Sequence, residues 1–301
     1  MSSQKVAAEI DGRTLMLSNL DKVLYPEADF TKANVLDYYA KVADAMVPHL
    51  AARPVTFRRF PDGVGGEAFF EKQLPRHAPD WMKSMRVGSR SGRGGRDAID
   101  YPLIDDRPSL LWAANLAALE LHVPLWHCDN GQQPPTDPDH LVIDLDPGPG
   151  TTIVECCRIA LLARDRLTAG DHAVAKTSGS KGLQVYAPMP GSTWDQIRDE
   201  VFGLAQELEA QHPDHVVSSQ EKRLRNGKVL IDWSQNHPAK TTVAVYSLRA
   251  TSHPTASTPV TWDEVAKCAK SDDPARLRFL GSDVIKRLDK HGDLFAPLLL
   301  D

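Results

Sequence analysis

Two aspartates separated by one residue carry the most chemistry in this chain. They lie in His140-Leu-Val-Ile-Asp-Leu-Asp-Pro-Gly148, where strand-forming residues run into a Pro-Gly turn signal. Side chains two apart on a strand share a face. Asp144 and Asp146 therefore stand side by side, while Ile143 and Leu145 point the other way, toward a core. Two carboxylates so placed repel and raise each other's pKa unless a cation lies between them. Oxygen ligands suit Mg²⁺ or Mn²⁺. The alternative is a solvated pair of acids at a strand end, and the spacing alone does not choose.

Other polar groups narrow the choice. Asp232 sits between Ile231 and Trp233 in a second strand-like run, Val229 to Asn236, where an unpaired carboxylate is costly to bury. Thr177-Ser-Gly-Ser-Lys-Gly-Leu-Gln-Val-Tyr186 places a small-residue turn, with Ser178 and Lys181, between two strands. Glycines there let backbone N–H groups approach an anion; a plain hairpin turn is the alternative. The spacing is not that of a Walker loop, and a strand rather than a helix follows it. Phe69 and Phe70 are adjacent, so in an extended segment both cannot enter one core, and one can stack on a base. Three carboxylates for two divalent ions, with cations for a triphosphate, are the parts needed for nucleotidyl transfer.

The elements that must position these groups can be read in order. Residues 13–18 read as a strand, and Asn19 to Lys22 as a turn. Thr31 is placed as the cap of a helix running to about Ala52, with Val35, Tyr39, Val42, Met46 and Leu50 on one stripe. Residues 54–60 and 97–104 read as strands, and Leu110 to Leu121, apolar nearly all round, as a buried helix. His122 and His127 could bind a metal by residue type alone, but read as structural. Thr152/Glu155, Thr193/Gln196 and Thr261/Glu264 are capping boxes. The helices they open run to about Ala169 (with Gly170 as the stop), to about His212 and to about Lys270. Ala173 to Thr177, Leu183 to Ala187 and Lys240 to Arg249 read as strands, 220–228 as a basic hairpin-like segment, and 282–291 as a last helix capped by Ser282. The fold class expected is mixed α/β (α+β).

Composition sets outer bounds. The 301 residues are 42% hydrophobic and 25% charged, ordinary for a folded chain, and no apolar run approaches the length of a membrane span. The four cysteines show no metal spacing and are expected to be reduced in a cytoplasmic protein. A net charge of −5 excludes a uniformly basic nucleic-acid coat. Charge is uneven, however: residues 58–96 hold nine lysines and arginines against four acids, and 88–96 read as a flexible basic loop.

The motifs Asp144-Leu-Asp-Pro-Gly148, Ser178-Gly-Ser-Lys-Gly-Leu183, Asp232-Trp-Ser-Gln-Asn236 and Ser247-Leu-Arg249, in this order, resemble the archaeo-eukaryotic primase superfamily. More narrowly, with Asp21-Lys-Val-Leu-Tyr-Pro26, Phe69-Phe-Glu-Lys-Gln-Leu74 and Leu119-Glu-Leu-His-Val-Pro124, they resemble the polymerase domain of bacterial ligase D over nearly the whole chain. The resemblance implies a primase-polymerase core of two sheets, mixed and antiparallel, packed by helices. It implies one catalytic domain over 1–301, with a DNA and 5′-phosphate-binding part to about 135 and a metal and nucleotide-binding part beyond. Asp144, Asp146 and Asp232 would be the metal-binding catalytic acids. Ser178, Lys181 and Arg249, helped by Arg58, Gln235, Gln184 and Phe70, would hold the nucleotide. Asn19, Lys22 and Lys32 would bind a 5′-phosphate. Phe69, Phe70, Lys72 and Arg225 would contact DNA. Two Mn²⁺ or Mg²⁺ ions, NTP or dNTP, and DNA with short gaps or break ends are implied, with a DNA ligase and an end-binding factor as further partners of a nucleoid-associated monomer. The family pattern places histidine at position 184; Gln184 keeps a donor but no charge, which implies a cost to triphosphate affinity or rate. No ligase or nuclease motif follows, and a stand-alone relative is expected. De novo priming, non-catalytic end binding and metal-dependent nuclease action are the competing readings.

Overall fold

The computed structural model describes residues 5–88, 98–128, 135–167 and 172–299. The basic loop expected at 88–96 lies outside these residues after Gly88, as does the helix stop expected at Gly170. In chain order, the first elements are β1 (Lys5–Ile10), β2 (Arg13–Ser18), β3 (Val23–Tyr25), β4 (Phe30–Thr31), α1 (Lys32–Leu50), β5 (Thr56–Arg59) and β6 (Phe69–Glu71). Then come β7 (Ser84–Gly88), β8 (Ala98–Pro102), α2 (Arg107–Asn115), β9 (Ala118–Val123), β10 (His140–Pro147), α3 (Ile153–Arg164), β11 (Val174–Thr177) and β12 (Leu183–Pro188). The chain finishes with α4 (Trp194–Gln211), β13 (Val216–Val217), β14 (Val229–Asp232), β15 (Thr242–Val243), β16 (Pro259–Val260), α5 (Trp262–Ala269) and α6 (Gly281–His291).

These fall into two compact units. The first comprises Met1–Thr136, Thr242–Thr255 and Leu280–Lys290; the second comprises Asp137–Thr241, Ala256–Phe279 and His291–Asp301. The first holds an antiparallel sheet in the order β15-β9-β5-β6. Helix α1 supplies its core: the stripe Val35, Tyr39, Val42, Met46 and Leu50 is buried, as the period of 3.6 predicts. The second unit holds a six-stranded mixed sheet, β13-β14-β10-β12-β11-β16, in which only β13 and β14 run parallel. One face is a hydrophobic core in which Leu141, Ile143 and Leu145 of β10 meet α3, α4 and α5. No helix among the described residues is long and apolar enough to cross a membrane.

The capping boxes read from sequence form as such. Thr152, Thr193 and Thr261 each accept from a backbone amide two or three residues on, and each N3 side chain reaches back to the cap amide.

Several boundaries differ from the sequence reading. The helix expected over 110–121 ends at Asn115. Ala117 takes a left-handed φ of 58°, and Ala118–Val123 becomes β9, between β5 and β15. A continuously apolar run hides its period, so a buried helix and a buried strand look alike in sequence. The strand expected over 240–249 pairs only at Thr242–Val243; Tyr246, at φ 63°, turns the chain, and Tyr38 donates its hydroxyl to the Tyr246 carbonyl. Asp232 ends its strand instead of sitting within it, and Trp233–Gln235 form a 3₁₀ turn. The basic segment 220–228 contains a 3₁₀ turn at Lys222–Leu224, not a hairpin. Helix α3 stops near Arg164, earlier than expected. Helix α6 opens at Gly281, where Asp283 rather than Ser282 receives the Leu280 amide.

Candidate active site

The second unit builds its acid cluster by sheet register. Asp144 of β10 lies directly opposite Asp232 of β14 and, on its other side, opposite Gln184 of β12. Gln184 in turn lies opposite Lys176 of β11. Residues in register across adjacent strands point to one face. The row Asp232, Asp144, Gln184, Lys176 therefore crosses four strands on one face, and Asp146 joins it two residues along β10. The opposite face of β10 is the apolar core, so the acids are held on the polar side by the burial of Ile143 and Leu145.

The electrostatics favour a cation. Burial, then the Asp146 carboxylate, pushes the Asp144 carboxyl up to about 7, with Asp232 adding to the effect. Asp146 is pushed up by the same causes, burial first and then Asp232, and the Arg225 guanidinium partly offsets them. A divalent ion would neutralise this repulsion, and three carboxylates are the donor set that Mg²⁺ or Mn²⁺ prefers. Among the described residues, no three such side chains already converge on one point at metal-binding distance. Asp232 is held by neighbouring donors. Its Oδ1 accepts from Ser234 N (3.1 Å), Ser234 Oγ (2.6 Å) and Gln220 Nε2 (2.9 Å), and its Oδ2 from Gln235 Nε2 (3.1 Å). Gln235, expected as a nucleotide contact, is thus directed at the third acid. Arg225 donates to the carbonyl (2.7 Å) and Oε1 of the same Gln220.

The glycine turn braces the acid strand. Ser178 Oγ accepts from the amides of Ser180 (3.3 Å) and Gly182 (3.0 Å), which leaves Lys181 exposed at the tip. A Cβ on Gly182 would stand 2.4 Å from the Leu145 carbonyl oxygen, and one on Gly148 would stand 1.8 Å from that of Arg225. Both glycines are required by close backbone approach, not by unusual φ. Gly182→Ala is expected to destabilise the protein by about 2 kcal/mol, because the carbonyl it meets belongs to the strand carrying Asp144 and Asp146. Thermal melting would show a lowered Tm, and nucleotide incorporation would fall with it.

The first unit assembles a second cluster around a residue the sequence reading placed in a helix. Glu120, on β9, is 1% exposed. Its Oε1 accepts from Arg58 Nη1 (3.1 Å) and the Ala250 amide (2.9 Å) and lies 3.3 Å from Arg249 Nε. Its Oε2 lies 3.0 Å from His122 Nε2. The strand assignment of 118–123 is the signal that was missing: with it, Glu120 and Arg58 are cross-strand partners. Phe69 and Phe70, on edge strand β6, are 47% and 66% exposed, so neither enters a core. The Arg58 guanidinium lies over the Phe70 ring at 5.5 Å. Lys72 is exposed beside them.

Asn19, Lys22 and Lys32 also lie in the first unit. Asn19 holds a left-handed φ of 53° and closes a turn onto the Lys22 amide. The Lys32 amide donates to the Lys22 carbonyl (2.8 Å), which ties the two lysines together. Lys32 is buried, and its Nζ donates to the Ser18 carbonyl (2.7 Å). Burial, then the charges of Lys22 and Arg59, lowers its pKa to about 8. Arg59, which the sequence reading did not single out, thus joins the cations crowded around Lys32, although Lys22 Nζ already donates to Asp62 (2.7 Å) and Arg59 Nη1 to Glu71 (2.6 Å).

Residues 31–295 match the family model of the LigD primase-polymerase domain. The multifunctional non-homologous end joining protein LigD of Mycolicibacterium smegmatis is 45% identical over 287 residues, covering 95% of this chain and 36% of that protein. The bifunctional LigD of Bacillus subtilis is 30% identical over 281 residues, 92% of this chain and 43% of the relative. A solved structure, the polymerase domain from Mycobacterium tuberculosis ligase D in complex with DNA, matches with a TM-score of 0.86 and 41% identity over 95% of this chain and 98% of that one. The chain spans about a third of the length of the mycobacterial relatives it matches. The fold is that of the primase-polymerase class of metal-dependent nucleotidyltransferases. Within that class, the chain belongs to the LigD primase-polymerase domain family.

Proposed function

We propose that this chain is a template-directed polymerase that extends a primer across short gaps or at break ends during DNA repair. The observation that carries the reading is the sheet register that puts Asp232 opposite Asp144, with Asp146 on the same face, in a member of this family. Asp144, Asp146 and Asp232 would hold two divalent ions, Mn²⁺ or Mg²⁺. When bound, such ions lower the pKa of an attacking 3′-hydroxyl and stabilise the departing pyrophosphate. The chain's own groups do the rest. In the second unit, Lys181 and the braced turn at Ser178 would neutralise triphosphate charge, while Gln184, expected as a nucleotide contact, donates to Asp144. In the first unit, Arg249 and Arg58 are read as nucleotide contacts. Glu120 sets the pose of both arginines. Gln220 and Gln235 orient Asp232. Phe70, and Phe69 beside it, offer exposed faces for base stacking, with Lys72 and Arg225 for backbone phosphates. We read the substrates as DNA with short gaps or ends and either NTP or dNTP. A ligase and an end-binding factor would complete the repair, and the work would be done on the nucleoid in the cytoplasm by a monomer of a single catalytic domain.

Lys22 and Lys32, with Asn19, are read as the site for a 5′-phosphate at the far edge of the gap. A charge-assisted contact of this kind is worth about tenfold in affinity. The test is primer extension with Mn²⁺ on a one- or two-nucleotide gap, with and without the downstream phosphate, supplying ribo- and deoxyribonucleotides in parallel. Phosphate-dependent filling supports the reading, and absence of incorporation under every condition overturns it. The same assay has a pH signature. Lys32 is charged below its pKa of about 8 and neutral above it, so preference for a phosphorylated end is strongest below pH 8. It declines as pH rises, with a midpoint above 8 because the bound phosphate favours the charged form. A preference that grows with pH would rule out Lys32 as the contact.

A further inference from the structure

Lys176 is 1% exposed, on an inner strand of the catalytic sheet. A buried ammonium needs partners for its donors. Its Nζ donates to Gln184 Oε1 and to Ser257 Oγ (2.9 Å), and it lies 5.4 Å from the centre of the Tyr186 ring. Ser257 passes its own proton on to the Thr177 carbonyl (2.9 Å), so its lone pair faces the lysine. The Tyr186 hydroxyl also donates to Gln184 Oε1, at 3.3 Å. An ammonium and a hydroxyl donor therefore converge on one oxygen. Its nitrogen, on the other side of the amide, donates to Asp144 Oδ1 at 3.1 Å.

This arrangement fixes which way the amide points. An ammonium has donors only, and a carboxylate has acceptors only. Turning the amide over would set its NH₂ against Lys176 and its oxygen against Asp144, two repulsions where there are now two hydrogen bonds. The row Asp144, Gln184, Lys176 thus runs from anion to cation through one oriented amide, in register across three strands.

We propose that Lys176 is a positioning residue for the polymerase reaction: it orients and polarises the Gln184 amide, which in turn holds the Asp144 carboxylate in place opposite Asp232. The proposal rests on the reading of Asp144 as a catalytic acid. Lys176 acts through Gln184, so its effect must vanish when Gln184 is gone.

The test uses the full chain with Lys176→Met, which nearly conserves volume, Lys176→Gln, which keeps a neutral donor, Gln184→Met and the double variant Lys176→Met/Gln184→Met. Primer extension reads kcat and nucleotide KM. Selective ¹⁵N-glutamine labelling reads the Gln184 side-chain amide in protein without metal or nucleotide, assigned by its loss in Gln184→Met. Lys176→Met is expected to lower kcat about tenfold, the worth of one charge-assisted hydrogen bond. Nucleotide KM should move by less than about threefold if the loss is in positioning the acid and not in holding substrate. Lys176→Gln should recover part of the rate. In the Gln184→Met background, Lys176→Met should cost nothing more. The Gln184 amide signals should shift and broaden in Lys176→Met as both orientations become populated. Wild-type kcat in Lys176→Met, unmoved amide signals, or an equal cost in both backgrounds would each overturn the proposal. Should Lys176→Met not fold, Lys176→Gln answers by the same criteria. If instead Asp144 is not catalytic, incorporation will survive its removal while the amide still responds to Lys176, which separates the two failures.

Discussion

Asp144→Asn is expected to abolish nucleotide incorporation and at the same time to make the metal-free protein more stable. The loss of activity follows from the donor set. Asp144 is the central member of the row, opposite Asp232 across one strand boundary and two residues from Asp146. Removing a carboxylate that would hold the catalytic ions costs on the order of a thousandfold or more in kcat, because ion placement and charge stabilisation are lost together. The gain in stability follows from the sign of the pKa shift. The Asp144 carboxyl is raised to about 7, by burial first and its acidic neighbours second. A carboxyl raised on folding binds more protons folded than unfolded. The charged form therefore costs stability, a cost that grows as pH rises from about 4 to about 7 and is fully present above that. An uncharged amide of the same shape removes it, worth on the order of 4 kcal/mol above pH 7. Urea unfolding at pH 8 without divalent ions would show Asp144→Asn with the higher midpoint, and adding Mn²⁺ would stabilise the wild-type more than the variant. An active Asp144→Asn would dismiss the acid cluster as the reaction centre. A lowered midpoint would mean that hydrogen bonding at Asp144 outweighs repulsion.

The second large effect is expected at Glu120. Burial by itself would raise its pKa, but the His122 hydrogen bond, the Arg249 charge and the Ala250 amide overcome that and hold it near 2. A carboxyl depressed on folding stabilises the protein above its unfolded pKa near 4.5, and this contribution fades as pH falls from about 4.5 toward 2. The span corresponds to about 3 kcal/mol at neutral pH. Glu120→Ala leaves Arg58, Arg249 and His122 without their shared acceptor, and breaking such a buried pair from one side costs about 3–5 kcal/mol. Glu120→Gln keeps the shape and some of the hydrogen bonds, and should lose less. In either variant the arginines are no longer held in one pose, so nucleotide KM should rise about tenfold or more while acid-cluster chemistry persists. Denaturant melts at pH 7 and pH 3 provide the check. The gap between wild-type and Glu120→Gln should be wide at pH 7 and narrow at pH 3. A gap independent of pH would mean that Glu120 contributes by packing and not by charge.

Much of this protein is legible in local chemistry. The capping boxes at Thr152, Thr193 and Thr261 form where Ser/Thr-x-x-Glu/Gln spacing puts them, because each cap is satisfied within four residues. The Asp144/Asp146 pair lands on the polar face of its strand because a period of two sends Ile143 and Leu145 into the core. The stripe on α1 is buried for the corresponding reason at a period of 3.6. The family, too, is recognisable from short motifs in a fixed order. What local chemistry could not decide was which strand lies beside which. The run 110–121 changes from helix to strand at Ala117 because Ala118–Val123 is taken up between β5 and β15, a competition between partners far away in sequence. That pairing alone makes Glu120 an anchor for Arg58 and Arg249. Sheet order, likewise, sets Lys176 beside Gln184, Gln184 beside Asp144, and Asp144 beside Asp232. Cross-strand neighbours are chosen by the burial of whole sheet faces, and a residue's own sequence context carries no record of that choice.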